Sequence, residues 1–120
     1  MMLNQMPAGR PEPQWTKYQQ HNFKDCEYRV EEMEILGVKN RYIMVRGTVL
    51  QEGIVSLALP EGVKPYYPMS DRGFVINYYE YNGDIVFKTS NVTVNNPSAN
   101  VIFFTSNSEN SRFCLFARVR

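Results

Sequence analysis

Histidine and cysteine are scarce: His21, Cys26 and Cys114 are all the chain holds. A structural zinc site draws four ligands from these residue types, so no metal is expected. Two cysteines are too few for a disulfide scaffold. They are expected to be free thiols buried in strands, as lone cysteines commonly are. A bond between them stays open, because both fall in expected strands near the two ends of the domain. No apolar run approaches the ~20 residues that a membrane-spanning helix needs. The opening stretch MMLNQMPAGRPEPQ lacks the basic flank and apolar core of a signal peptide. Net charge is also lacking: 13 basic and 12 acidic residues leave +1, which gives no nucleic-acid footprint. Phosphate-binding loops, dinucleotide fingerprints and calcium loops are absent, so no cofactor is expected.

Catalytic groups are equally sparse. His21 sits in a polar stretch with no Ser or Cys partner pattern, and a lone histidine is more often a surface hydrogen-bonder than a base. Glu32 and Glu34 share one face of an expected strand beside Glu31. Paired carboxylates can hydrolyse glycosides, but adjacent strand acids usually face water. The sequence therefore points away from an enzyme. Asn91-Val92-Thr93 fits the glycosylation acceptor pattern, which matters only in a eukaryotic secretory setting; it is read as a polar turn into a short strand.

What is present is β-forming. The composition, 43% hydrophobic over 120 residues, is that of one soluble globular domain. Residues 1–14, rich in proline, read as a flexible N-terminal linker or expression remnant, and 15–120 as the folded domain. Tyr, Phe, Val and Ile recur between Gly, Asn, Asp and Pro punctuation. The expected strands are Cys26–Leu36, Arg41–Val49, Ile54–Leu59, Phe74–Tyr81, Asp84–Ser90, Asn100–Ser106 and Arg112–Val119. A helix competes for the first, because Glu, Met and Leu are good helix formers. Gln51–Gly53 is expected to close one hairpin, Asn82-Gly83 a second, and Asn107–Asn110 a third. The fold class is all-β: an antiparallel β-sandwich or jelly-roll-like barrel.

Two stretches, Val101–Phe104 and Phe113–Ala117, are apolar at every position. Alternation turns half of those side chains to each face, and a two-layer sandwich buries only one. Ile102, Phe104, Phe113 and Phe116 are therefore expected at a contact between copies of the chain. The competing cover is the N-terminal segment carrying Trp15.

Aromatic residues beside polar turns give the candidate ligand site. Tyr66 and Tyr67 follow a rigid corner, Leu59-Pro60-Glu61-Gly62, and Asp71 and Arg72 lie in the loop beyond. Asn77, Tyr79, Tyr81 and Asn82 cluster in the next hairpin. A tyrosine ring can lie against the C–H face of a sugar while Asn, Asp or Arg bonds its hydroxyls. Core or subunit-contact roles for the same tyrosines stand beside that reading.

One ordered set of short motifs carries a family likeness: Trp15, Tyr18 and Asn22-Phe23; then Cys26 with Tyr28-Arg29; then Val45-Arg46-Gly47-Thr48-Val49; then Leu59-Pro60-Glu61-Gly62-Val63-Lys64-Pro65. It resembles the C-terminal head domains of tailed-bacteriophage receptor-binding and tail-fibre proteins, especially from phages of Gram-positive hosts. Those heads more commonly carry an aromatic and an arginine where Val63 and Lys64 stand. The resemblance implies a homotrimeric, non-catalytic head at the virion's tail tip, in contact with other tail or baseplate proteins. It implies adhesion to host cell-wall polysaccharide or teichoic acid, with no nucleic-acid or membrane partner. A structural collar or trimerisation domain is the alternative, and a glycan depolymerase a more distant one.

Overall fold

A computed structural model describes residues 14–66, 73–96 and 98–120. Its strands are β1 (Thr16–Lys17), β2 (Phe23–Ile35), β3 (Val38–Val49), β4 (Gly53–Ala58), β5 (Gly73–Tyr81), β6 (Asp84–Asn91), β7 (Val101–Ser106) and β8 (Ser111–Val119). The stretch for which a helix competed is strand up to Ile35, and the all-β expectation holds. All pairings are antiparallel, in a six-stranded sheet β1-β2-β3-β8-β5-β6 and a two-stranded sheet β4-β7.

The two sheets meet over one core, giving a β-sandwich-like arrangement. Alternation sends Ile43, Val45 and Val49 of β3 and Phe113, Leu115, Ala117 and Val119 of β8 inward, and all are buried. Val55 and Leu57 of β4 and Ile102 and Phe104 of β7 close on them from the small sheet. Phe104 joins the layers: its ring lies 5.2 Å from Phe113 and 6.1 Å from Phe23. Fully burying such a side chain stabilises the fold by roughly 1.5–3 kcal/mol. Ile102, Phe104 and Phe113 are thus core residues of a single chain, which corrects their assignment to a subunit contact. Each sheet covers the inner face of the other, and that places Ile102, Phe104 and Phe113 inside.

Two expected hairpins are crossovers instead. β3 has both edges occupied, by β2 and β8, so Gln51–Gly53 leads away to the small sheet rather than folding β4 back. In the same way the Asn107–Asn110 turn carries the chain from β7 in the small sheet to β8 in the middle of the large one. The Asn82-Gly83 hairpin forms as expected, with φ of 51° and 84° at its two turn residues and Tyr81 paired to Asp84. A further hairpin joins β2 to β3 through Leu36 and Gly37, also at positive φ.

The proline corner runs between sheets. Pro60 follows β4, Val63 N–H donates to Pro60 C=O at 3.1 Å, and Pro65 bridges to Val119 of β8. Removing the N–H donors at Pro60 and Pro65 ends pairing with one sheet and fixes the exit toward the other.

Near its start the chain is clamped. Arg46 lies 3.9 Å and Arg29 4.9 Å from the centre of the Trp15 ring. Arg46 donates to Glu27 at 2.7 Å. Trp15 thus covers the outer face at β2 and β3, whereas the sequence set it over the last two strands. The part of the expected linker numbered 1–13 lies outside the described residues.

Candidate functional site

The expected ligand residues that are described do not all come together. Tyr67, Asp71 and Arg72 lie outside the described residues. Tyr66 is half-buried under Arg118, whose guanidinium sits 4.4 Å from the ring centre. Tyr81 and Asn82 are exposed at the tip of the β5–β6 hairpin. Tyr79 is half-buried on the inner side of β5.

Asn77 needs correction. It is fully buried, so it cannot meet a ligand in solution. Its Nδ2 donates to Ser111 Oγ at 2.8 Å and to Arg112 C=O at 2.9 Å, while its Oδ1 accepts from Asn107 N–H at 2.7 Å. Ser111 Oγ in turn donates to Ser108 C=O at 2.7 Å, and Ser106 Oγ donates to the same oxygen at 2.9 Å. This network fastens the β7–β8 turn to β5.

That turn makes one wall of an open depression of about 380 Å³, lined by Tyr78, Tyr79, Glu80, Ile85, Ser108, Glu109, Asn110 and Arg112. The register Tyr78↔Arg112 between β5 and β8 brings its two halves together from positions far apart in sequence. Arg112 stands 6.0 Å above the Tyr78 ring, and Phe87 lies 5.6 Å from the same ring. An aromatic surface flanked by a guanidinium, two carboxylates and an amide can stack on an apolar ring face and hydrogen-bond hydroxyl groups at its edge. The sequence reading found Tyr79 but missed Tyr78, Glu80, Glu109, Asn110 and Arg112. Strand alternation gave the face of Tyr78; nothing local to the sequence gave the pairing of β5 with β8.

The outer face of the large sheet carries a row of aromatic rings across β3, β8 and β5. Phe116 lies 4.8 Å from Tyr42 and 5.7 Å from Phe74, ring centre to ring centre. Met44, Cys114 and Ile76 occupy register positions beside them. Phe116 alone among the four expected contact residues is on this face, half-buried. The two cysteines point to opposite sides and are free: Cys26 is buried and Cys114 exposed, which corrects the expectation that both would be buried. Burial pushes the Cys26 thiol up to about 11, aided by the nearby Glu27 charge, so it stays protonated and unreactive near neutral pH. Among the described residues, no three His, Cys, Asp or Glu side chains gather as metal ligands.

Comparison with protein-family models, curated proteins and solved structures finds no match to the chain. The residues that carry the phage-head resemblance occupy framework positions: Phe23 and Cys26 in the core, Tyr18 edge-on to Tyr28 at 5.2 Å, Trp15 in the arginine clamp, and Leu59 to Pro65 in the inter-sheet corner.

Proposed function

We propose that the chain is a non-catalytic saccharide-binding adhesion module of the kind found at phage tail tips, and that the depression between the β5–β6 hairpin and the β7–β8 turn receives the sugar. One observation carries the reading: Tyr78 under Arg112, with Glu80, Glu109 and Asn110 around it, in an open concavity held from below by Asn77. The all-β architecture and the ordered motifs from Trp15 to Pro65 support the tail-tip setting and a jelly-roll-like relationship. In this reading host-wall polysaccharide or teichoic acid is the ligand, and other tail proteins hold the module in the virion. The trimer implied by the resemblance would bury the outer apolar face around Phe116.

The test is titration of soluble wall-polysaccharide fragments by calorimetry. Tyr78→Ala and Arg112→Ala should each weaken binding about tenfold, as loss of a stacking or charge-assisted contact of about 1.4 kcal/mol does, with the unfolding midpoint held. Undiminished binding by both variants would move the site elsewhere. A second reading, a structural collar, is favoured by the Tyr42–Phe116–Phe74 ring row. A clean trimer giving no signal with any wall glycan would select it.

A further inference from the structure

A β-sandwich that is not closed into a barrel leaves strand edges, and bare edges pair with other chains unless they are blocked. Most edges here are blocked. The free side of β4 is stitched by Gln20, whose Nε2 donates to Ala58 C=O at 3.3 Å and whose Oε1 accepts from Ala58 N–H at 3.0 Å. Asn22 Nδ2 adds a bond to Ser56 C=O at 3.1 Å. The free side of β7 exchanges two 2.9 Å backbone bonds with Thr93 at Phe103. At the first edge of the large sheet, β1 covers the start of β2, and the remainder carries Glu31, Glu32 and Glu34, which repel a like strand. The opposite edge is β6. Among the described residues no strand pairs with its outer side.

The open groups on β6 can be identified. A two-residue turn closes with its flanking residues bonded to each other, here Tyr81 and Asp84. Bonded and non-bonded pairs then alternate along the ladder. Asp84, Val86 and Lys88 therefore direct their backbone groups to β5, whereas Ile85, Phe87 and Thr89 direct theirs outward. Ile85 and Phe87 are also 59% and 64% exposed.

The sequence of this edge, Asp84-Ile85-Val86-Phe87-Lys88, reads as acid, three apolar residues, base. We propose that β6 is a self-pairing edge, which joins two copies of this chain antiparallel about a two-fold axis at Val86. In that register Ile85 faces the partner's Phe87 and exchanges the outward backbone bonds with it. Asp84 faces the partner's Lys88, and by symmetry Lys88 faces the partner's Asp84. Both ion pairs and both apolar pairs fall on matching faces. A one-residue slip sets inner side chains against outer ones. A two-residue slip either way sets Lys88 or Asp84 against Val86, and a larger one opposes Lys88 to its own copy. Only the register about Val86 satisfies the charges and the outward backbone groups together. The contact goes beyond the proposed function and does not depend on it: it closes in pairs, whereas a three-fold head would use the face around Phe116.

The experiment is a charge-swap cycle on the full chain, read by sedimentation equilibrium and light scattering. The unmodified chain should be a dimer, or an even-numbered assembly if a trimer also forms. Asp84→Lys and Lys88→Asp should each raise the dissociation constant about tenfold or more, because each puts like charges opposite at two symmetric positions. The double swap D84K/K88D should return it to within about threefold of the unmodified chain. Equal unfolding midpoints keep misfolding out of the comparison. The proposal is overturned by a chain that is monomeric at millimolar concentration, in which case Asp84 and Lys88 merely guard the edge. An assembly indifferent to the single reversals, or a double variant that stays apart, overturns it as well. Ile85 lines both the depression and the edge, but Asp84 and Lys88 do not line the depression, so the charge swaps test the edge and Tyr78→Ala and Arg112→Ala test the glycan site, and the two readings fail separately.

Discussion

Asn77 carries no charge and touches no solvent, yet it ties three parts of the chain together. Its amide saturates Ser111, the Arg112 carbonyl and the Asn107 amide in a fully buried setting. Asn77→Ala removes the donor to Ser111 Oγ and to the Arg112 carbonyl and the acceptor of Asn107 N–H, at a cost of about 1–3 kcal/mol. Urea unfolding should show that loss, and glycan affinity should fall with it, because Glu109 and Asn110 lose their anchor; unchanged stability would mean that water replaces the amide. The residue's role was half legible. Alternation places Asn77 with Val75 on the inner face of its strand, whereas its polarity suggested a surface position. The network that satisfies it comes from residues 30 and more positions away, which no local pattern reveals.

Among the elements, turns with a stereochemical requirement were readable and partner choice was not. Asn82-Gly83 announces its hairpin because both residues tolerate positive φ. Gln51–Gly53 and Asn107–Asn110 looked similar, but their strands go to different sheets because β3 and β8 have both edges filled by others. A close approach within β2 and β3 gives a second element-scale prediction. Lys24 to Glu27 form a bulge opposite β3, and a Cβ on Gly47 would come within 2.9 Å of the Cys26 Cα and 3.2 Å of the Lys24 carbonyl. Both are backbone atoms, so Gly47→Ala must distort the bulge and should destabilise the chain by about 1–3 kcal/mol. Thermal unfolding checks it, and a variant as stable as its parent would show that the bulge can relax.

Across the whole molecule, the apolar doubling of the last two segments resolves into two unlike surfaces. Phe104 and Phe113 close the core between sheets, and Phe116 looks out beside Tyr42 and Phe74. Their substitutions should therefore separate. Phe104→Ala should cost about 3–5 kcal/mol of folding stability whatever the assembly. Phe116→Glu should leave the folded single chain nearly as stable and abolish any three-fold association, as read by light scattering beside circular dichroism. A trimer that persists in Phe116→Glu would remove the outer face from the assembly. The sequence showed that too many apolar side chains were present for one layer; it did not show that a two-stranded sheet takes half of them.

The position of β8 has one more consequence. This strand lies between β3 and β5, in the centre of the large sheet, yet in chain order it follows both of them. Until it arrives, the β2–β3 and β5–β6 hairpins have no common neighbour and the apolar side chains meant for the core have no floor. Folding of the large sheet is thus bound to wait for β8 and to proceed slowly, through long-range pairings that the earlier hairpins cannot rehearse.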